Sequence, residues 1–180
     1  MSDFRFARKM ASLALLATVL VGHAQASQAM QPAATGAVVS PDQRIAEKFL
    51  RDFDAAIANK DLDAYSNLLT DDVANHVRAS QQGGPPQDLT ATKPQMVQAF
   101  TQLKTLMSDY RIERRDIQVT RQDNGDLLVK DSSTEHMTLG NVRVTTESQE
   151  TMTLEVDGDM ARAKAFDTTS SVTMAPVQAK

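Results

Sequence analysis

Few side chains in this sequence have chemistry to offer. There is no cysteine, so thiolate ligands, disulfides and cysteine nucleophiles are excluded. The most suggestive carboxylates are Asp131, Glu135 and Glu150. Taken alternately, residues 127–139 read Leu127, Val129, Asp131, Ser133, Glu135, Met137, Leu139. The alternate set of residues 142–156 includes Val144, Thr146, Ser148, Glu150, Met152 and Leu154. A strand sends alternate side chains to one face. Each segment therefore presents a face with apolar ends and a polar centre, as a sheet lining a cavity would. A carboxyl on such a wall has its charged form disfavoured and its pKa raised. That equips it to shuttle protons near neutral pH.

Around these acids stand a few groups that could hydrogen-bond a ligand or a developing enolate. They are Tyr65, Tyr110, His76 and His136, with His76 expected near the pocket mouth. Arg115 shares a strand face with Ile117 and Val119 and is the candidate counter-charge for an inward carboxylate. Two other readings stay open. The strand centres could face solvent, or one β-bulge could flip the face and turn His136 inward and Glu135 outward. The catalytic residues are not identified. Two histidines without ligand spacing make no metal site, and the acidic turns lack the twelve-residue calcium pattern. The phosphate-cradling loop, the G-x-S-x-G elbow and the H-E-x-x-H motif are all missing. No metal and no cofactor are expected.

The elements that must hold these residues divide into two sets. Pro41 and Asp42 open a helix, since proline fits a first turn and an acid suits the positive helix end. Ile45, Phe49, Phe53, Ala56 and Ile57 recur along it at helical spacing. A second short helix covers about residues 62–69, and Thr70-Asp71-Asp72 ends it. Residues 79–91, with Gly83-Gly84-Pro85-Pro86, read as a loop. Thr92 and Gln95 form a capping box for a third helix over 93–108. From residue 111 the pattern changes to proline-free alternation rich in Thr, Val and Ser. Turn signals at 123–126, 140–141 and 157–159 divide it into strands of about 112–121, 126–139, 142–156 and 160–173. Helices first and sheet afterwards mean an α+β class. The inward face of the last strand stays undecided.

The chain has 180 residues, 23% of them charged and 41% hydrophobic, which suits one globular domain. Its net charge of -4 argues against a nucleic-acid partner. Arg5, Arg8 and Lys9 precede an apolar run over 11–22 and the pattern Ala24-Gln25-Ala26. This reads as a signal peptide over 1–26, cleaved after Ala26 and leaving no stable membrane anchor. A spanning helix needs about 20 apolar residues, and this run is shorter. The expected organisation is a flexible leader over 27–40, a domain over 41–173 and a loose tail over 174–180, in a periplasmic or secreted protein.

The segments Lys60-Asp61-Leu62-Asp63-Ala64-Tyr65 and Leu68-Leu69-Thr70-Asp71-Asp72-Val73 resemble the nuclear-transport-factor-2-like superfamily, especially its SnoaL-like bacterial branch. So do Asp109-Tyr110-Arg111-Ile112, Thr134-Glu135-His136-Met137-Thr138-Leu139-Gly140 and Val156-Asp157-Gly158-Asp159-Met160. The resemblance covers about residues 41–170. It implies a cone of three N-terminal helices packed on a strongly bent four-strand antiparallel sheet, a pocket between them, and a homodimer through the open sheet face. It implies less about chemistry: a small-molecule ligand could fill the pocket, and relatives include isomerases, cyclases, dehydratases and hydrolases beside non-catalytic binders and accessory domains. Fold does not choose among these. Aromatic residues make up only 4% of the chain, too few for a steroid or polyketide pocket as well as a core. Binding of a small molecule or partner leads, and acid–base catalysis by the pocket carboxylates as a lyase, isomerase or hydrolase is the alternative.

Overall fold

The computed structural model describes residues 39–81 and 84–177. The expected signal peptide over 1–26, most of the expected leader and the last three residues lie outside them. Three helices and six strands follow in the order α1 (Pro41–Ala58), α2 (Leu62–Asn67), β1 (Leu69–Gln81), β2 (Gln87–Thr92), α3 (Lys93–Leu106), β3 (Met107–Arg121), β4 (Leu127–Leu139), β5 (Val142–Asp157) and β6 (Met160–Pro176). Among the described residues, no helix is long and apolar enough to cross a membrane.

The helices begin where local chemistry starts them. The Ser40 hydroxyl accepts the amide N–H of Gln43 at 3.1 Å with Pro41 in the first turn, and Asp61 accepts that of Ala64 at 2.9 Å. Thr92 and Gln95 form the reciprocal capping box. Helix α1 buries Ala46, Phe49, Leu50, Phe53 and Ile57, and α3 buries Met96, Ala99, Phe100 and Leu103. These faces close over one side of a single six-strand sheet ordered β2-β1-β6-β5-β4-β3. An aromatic chain joins the layers. Phe53 lies 5.6 Å from Phe49, 5.2 Å from Tyr65 and 5.8 Å from Phe166, and Tyr65 lies 4.7 Å from Phe100, ring centre to ring centre. Such pairs add about 1 kcal/mol each beyond burial.

The α+β architecture agrees with the sequence reading, but the four-strand sheet is corrected to six. Residues 69–81 and 87–92, where 70–72 read as a helix end and 79–91 as a loop, pair with each other and extend the sheet. β1 also runs parallel to β6 from Ala74↔Ala165 to Gln81↔Val172. Residues 174–176, read as tail, continue β6 opposite 142–144 of β5. Asp71 and Asp72 therefore begin a strand and do not close a helix unit.

β-Bulges decide which residues face the helices. On β3 the register slips by one residue between Ser108 and Arg111 and again between Arg115 and Gln118. Asp109 and Asp116 hold φ of 51° and 58° at these points, a region that aspartate tolerates better than most residues. The inward set on β3 thus runs Met107, then Tyr110, Ile112 and Arg114, then Ile117 and Val119. A third slip, opposite Thr153 and Leu154, moves the inward set of β6 from Ala163 to Phe166, Thr168, Ser170 and Val172.

Candidate functional site: a buried carboxylate cluster

The inner wall of the sheet is apolar at its ends and polar at its centre. Rungs of Leu127, Leu154 and Ala163 at one end, and Met137 and Val144 at the other, are buried apolar contacts. Between them lie three polar rungs. Asp131 pairs with Glu150 and Glu150 with Thr168. Arg114 pairs with Ser133, Ser133 with Ser148 and Ser148 with Ser170. Ile112 pairs with Glu135 and Glu135 with Thr146. All of these side chains are buried.

Arg114 organises one half of this patch. Its Nη2 and Nε donate to Asp54 at 3.0 and 3.4 Å, its Nη1 donates to Glu150 at 3.3 Å, and the same nitrogen bonds Asp131. Burial works against the guanidinium charge, but the three carboxylates outweigh it and hold its pKa well above the usual range. Glu135 occupies the other half. It is 0% exposed, and neither of its carboxyl oxygens has a hydrogen-bond partner among the described residues. Burial, reinforced by the charge of Glu150, pushes its pKa well above the carboxylate range despite Arg114. Burial also raises Glu150, to about 7, against the attraction of Arg114. The hydroxyls of Ser133, Ser148, Ser170 and Tyr110 are likewise buried and unpartnered among the described residues. Burial raises the Tyr110 phenol, and the negative potential of Glu135 raises it further, so the two groups are electrostatic neighbours.

The structure gathers Asp131, Glu135 and Glu150 on the inner face where the alternation placed them, and Tyr110, which the alternation did not assign, has its hydroxyl buried there too. Other candidates lie elsewhere. Arg115 is corrected to Arg114. The bulge at Asp116 separates Arg115 from the face of Ile117 and Val119, leaving it exposed and donating to Thr134 at 3.0 Å. Tyr65 is buried in the aromatic core, and burial alone raises its phenol. His136 points to the outer face, with Nδ1 3.1 Å from the Thr145 hydroxyl. His76 is also on the outer face, 3.5 Å from Asp167 and 3.8 Å from Asp88. No group of three or more histidine and acidic side chains among the described residues is placed to hold a metal. Sequence reading missed Asp54. Its signal was its spacing, since Leu50, Asp54 and Ile57 share one stripe of α1, which puts a carboxylate on the buried face.

Two surface clefts flank the cone. One of about 840 Å³ lies between α1, α2 and the β5–β6 hairpin and includes none of the clustered acids in its lining. The other, about 680 Å³, lies over the Asp116 bulge, and there Asp131 and Glu150 contribute to its lining.

No protein-family model matches the chain, and no curated protein matches it in sequence. Its likeness to known proteins lies in solved structures. A protein provisionally assigned as a scytalone dehydratase, from Novosphingobium aromaticivorans, superposes with a TM-score of 0.61 at 8% identity over 76% of this chain and 88% of that one. A type 2 hexachlorocyclohexane dehydrochlorinase gives 0.54 at 10% identity over 77% and 87%. An NTF2-like protein from Cytophaga hutchinsonii gives 0.55 at 14% identity over 70% and 95%. Identities this low speak to architecture alone. Helices closed over one face of a curved sheet, with a polar patch between, are the nuclear-transport-factor-2-like cone, and this chain has that fold.

Proposed function

We propose that the protein is an exported binding domain that takes a small polar molecule against the inner wall of its cone. The observation that carries this reading is Glu135, fully buried with neither carboxyl oxygen partnered among the described residues, on a wall with the hydroxyls of Ser133 and Ser148, likewise unpartnered there. Each unmade buried hydrogen bond costs about 1–3 kcal/mol. Several side by side on one wall are read as recognition groups rather than scaffold. The test is a thermal-shift screen of small polar metabolites against the wild type and Glu135→Gln. Compounds that raise the wild-type Tm and fail to raise that of the variant support the site. A screen in which every stabiliser acts equally on both refutes it.

A second reading is favoured by the Glu150 carboxyl, raised to about 7, beside a second raised acid in Glu135. Two acids with displaced titrations in one water-poor site suit proton transfer at neutral pH. On this reading the protein is a lyase, isomerase or hydrolase. Glu150 would take the proton, and protonated Glu135 or the Tyr110 hydroxyl would donate to the developing oxyanion. The dehydrochlorinase with the same fold also carries out an elimination. Loss of turnover in Glu150→Gln with binding retained would distinguish this reading.

A further inference from the structure

The charges inside the cone are unbalanced, and this bears on what the site accepts. Four carboxyl groups face the patch: Asp54 from α1, Asp131 and Glu135 from β4, and Glu150 from β5. Arg114 of β3 is the only buried cation among the described residues, and it already serves three of them, Asp54, Asp131 and Glu150. The remaining buried polar groups at the patch are neutral: Tyr110, Ser133, Thr146, Ser148, Thr168 and Ser170. An anionic ligand would meet an excess of like charge and no unengaged cation. A protonated amine carries N–H donors and no acceptor.

The acceptors for such a group lie together. Ser133 stands directly across from Ser148, Ser148 from Ser170, and Glu135 from Thr146. Glu135 and Ser133 are two residues apart on one face of β4. Strand spacing puts them within roughly 5 Å across the sheet and 7 Å along it.

We infer that the cone accepts a small protonated amine, whose ammonium group binds the Glu135 carboxylate and the Ser133 and Ser148 hydroxyls. This rests on the binding reading given above and adds the class of ligand. It also fixes the proton balance. Before binding, burial beside Glu150 favours the neutral form of Glu135. When the ammonium enters, the O–H bond of the Glu135 carboxyl breaks, the carboxylate pairs with the ligand's positive charge, and one proton passes to solvent. No net charge is added to the interior.

The experiment is calorimetric titration of the full protein at pH 7 with ethylammonium chloride, sodium acetate and acetamide, each in phosphate and in MOPS. Carboxyl-carbon NMR of Glu135 and Glu150 runs in parallel, and sodium chloride is the ionic-strength control. Ethylammonium should bind saturably and move the Glu135 resonance. The difference in heat between buffers should report net proton release on binding, since pairing with a cation favours the ionised acid. Glu135→Gln should lose roughly tenfold or more in affinity and release no proton. Ser148→Ala should lose several-fold and keep the proton count, because a neutral hydrogen bond is worth less than a charged one. A wild-type-like amide spectrum for each variant shows that the fold is retained. Saturable binding of acetate or acetamide, with none of ethylammonium, overturns the amine assignment and leaves the binding site standing. If no probe moves either carboxyl resonance, both the amine assignment and the cone-binding reading fall.

Discussion

Glu150 offers a direct measure of what the buried cluster does to stability. Burial raises its carboxyl from the ordinary 4.5 to about 7. The unfolded chain releases this proton near the ordinary value, while the folded chain holds it to about pH 7. Between those points the folded state binds more protons, so stability falls as pH rises. The contribution is complete below the unfolded value and lost as pH climbs through the folded one. At about 1.4 kcal/mol per pH unit, the span amounts to roughly 3 kcal/mol. That is a large part of the 5–15 kcal/mol typical of a domain.

Glu150→Gln removes this titration while keeping the side chain's size. It also removes one of the charges that raise Glu135, so both effects flatten the profile. Urea unfolding of wild type and variant at pH 5, 6, 7 and 8 tests it. The variant's stability relative to wild type should rise with pH, by about 3 kcal/mol over the range. The opposing contribution is the 3.3 Å contact of Glu150 with Arg114, which favours the ionised acid. If that contact dominates, Glu150 is already charged at pH 5 and the variant is less stable by a constant amount. Parallel profiles, or a difference that grows against the variant at high pH, would refute the raised titration.

The Arg114 and Arg115 pair tests the bulge at Asp116. Arg114→Met strands three buried carboxylates and should cost roughly 3–5 kcal/mol at pH 8, and less at pH 5, whereas Arg115→Met should stay within about 0.5 kcal/mol in the same urea assay. On the exposed face of the sheet, the rows through Gln118, Lys130 and Thr151 and through Ser132, Gln149 and Thr169 present a broad polar surface, and we propose that it pairs two copies. Light scattering at micromolar concentration should give twice the chain mass, and a monomer mass would remove this idea. Export with cleavage after Ala26 predicts a mature chain beginning at Ser27, which mass spectrometry of the exported protein reads directly; a chain still starting at Met1 would contradict it.

The parts of this fold written in local signals were legible in the sequence. Phe49, Phe53 and Ile57 announce α1, the capping box announces α3, and glycine turns divide the last four strands. Strand β1 was hidden because Asp71, Asp72, Asn75 and His76 are poor strand formers, and they obscure the alternation of Val73, Val77 and Ala79. Its parallel pairing with β6 spans most of the domain and leaves no local trace. At the site, straight alternation identified Asp131, Glu135 and Glu150 because β4 and β5 pair without a slip from Leu127↔Leu154 to Leu139↔Val142. It failed on β3, where two aspartates at positive φ each shift the parity by one residue. The same periodicity argument thus assigned three acids correctly and the arginine one position off.

That single position bears on why the cluster exists. An arginine with three carboxylates in a protein interior is a poor stabiliser. Desolvating each ion costs several kcal/mol, and well-packed apolar residues of similar volume often do as well or better. The surrounding wall shows that apolar residues fit here, since Leu127, Val129, Met137, Val144, Met152 and Leu154 occupy the same faces of the same strands. The arrangement also leaves Glu135 without a hydrogen-bond partner among the described residues. A purely structural network would be expected to spend its one cation on every acid within reach. Here Arg114 pairs with Asp54, Asp131 and Glu150, and burial raises Glu135 well above the carboxylate range, so that arriving positive charge would favour its ionised form. This division, one half of the patch braced and the other half responsive, is what a site needs if it is to stay folded between ligands and change charge only when one binds.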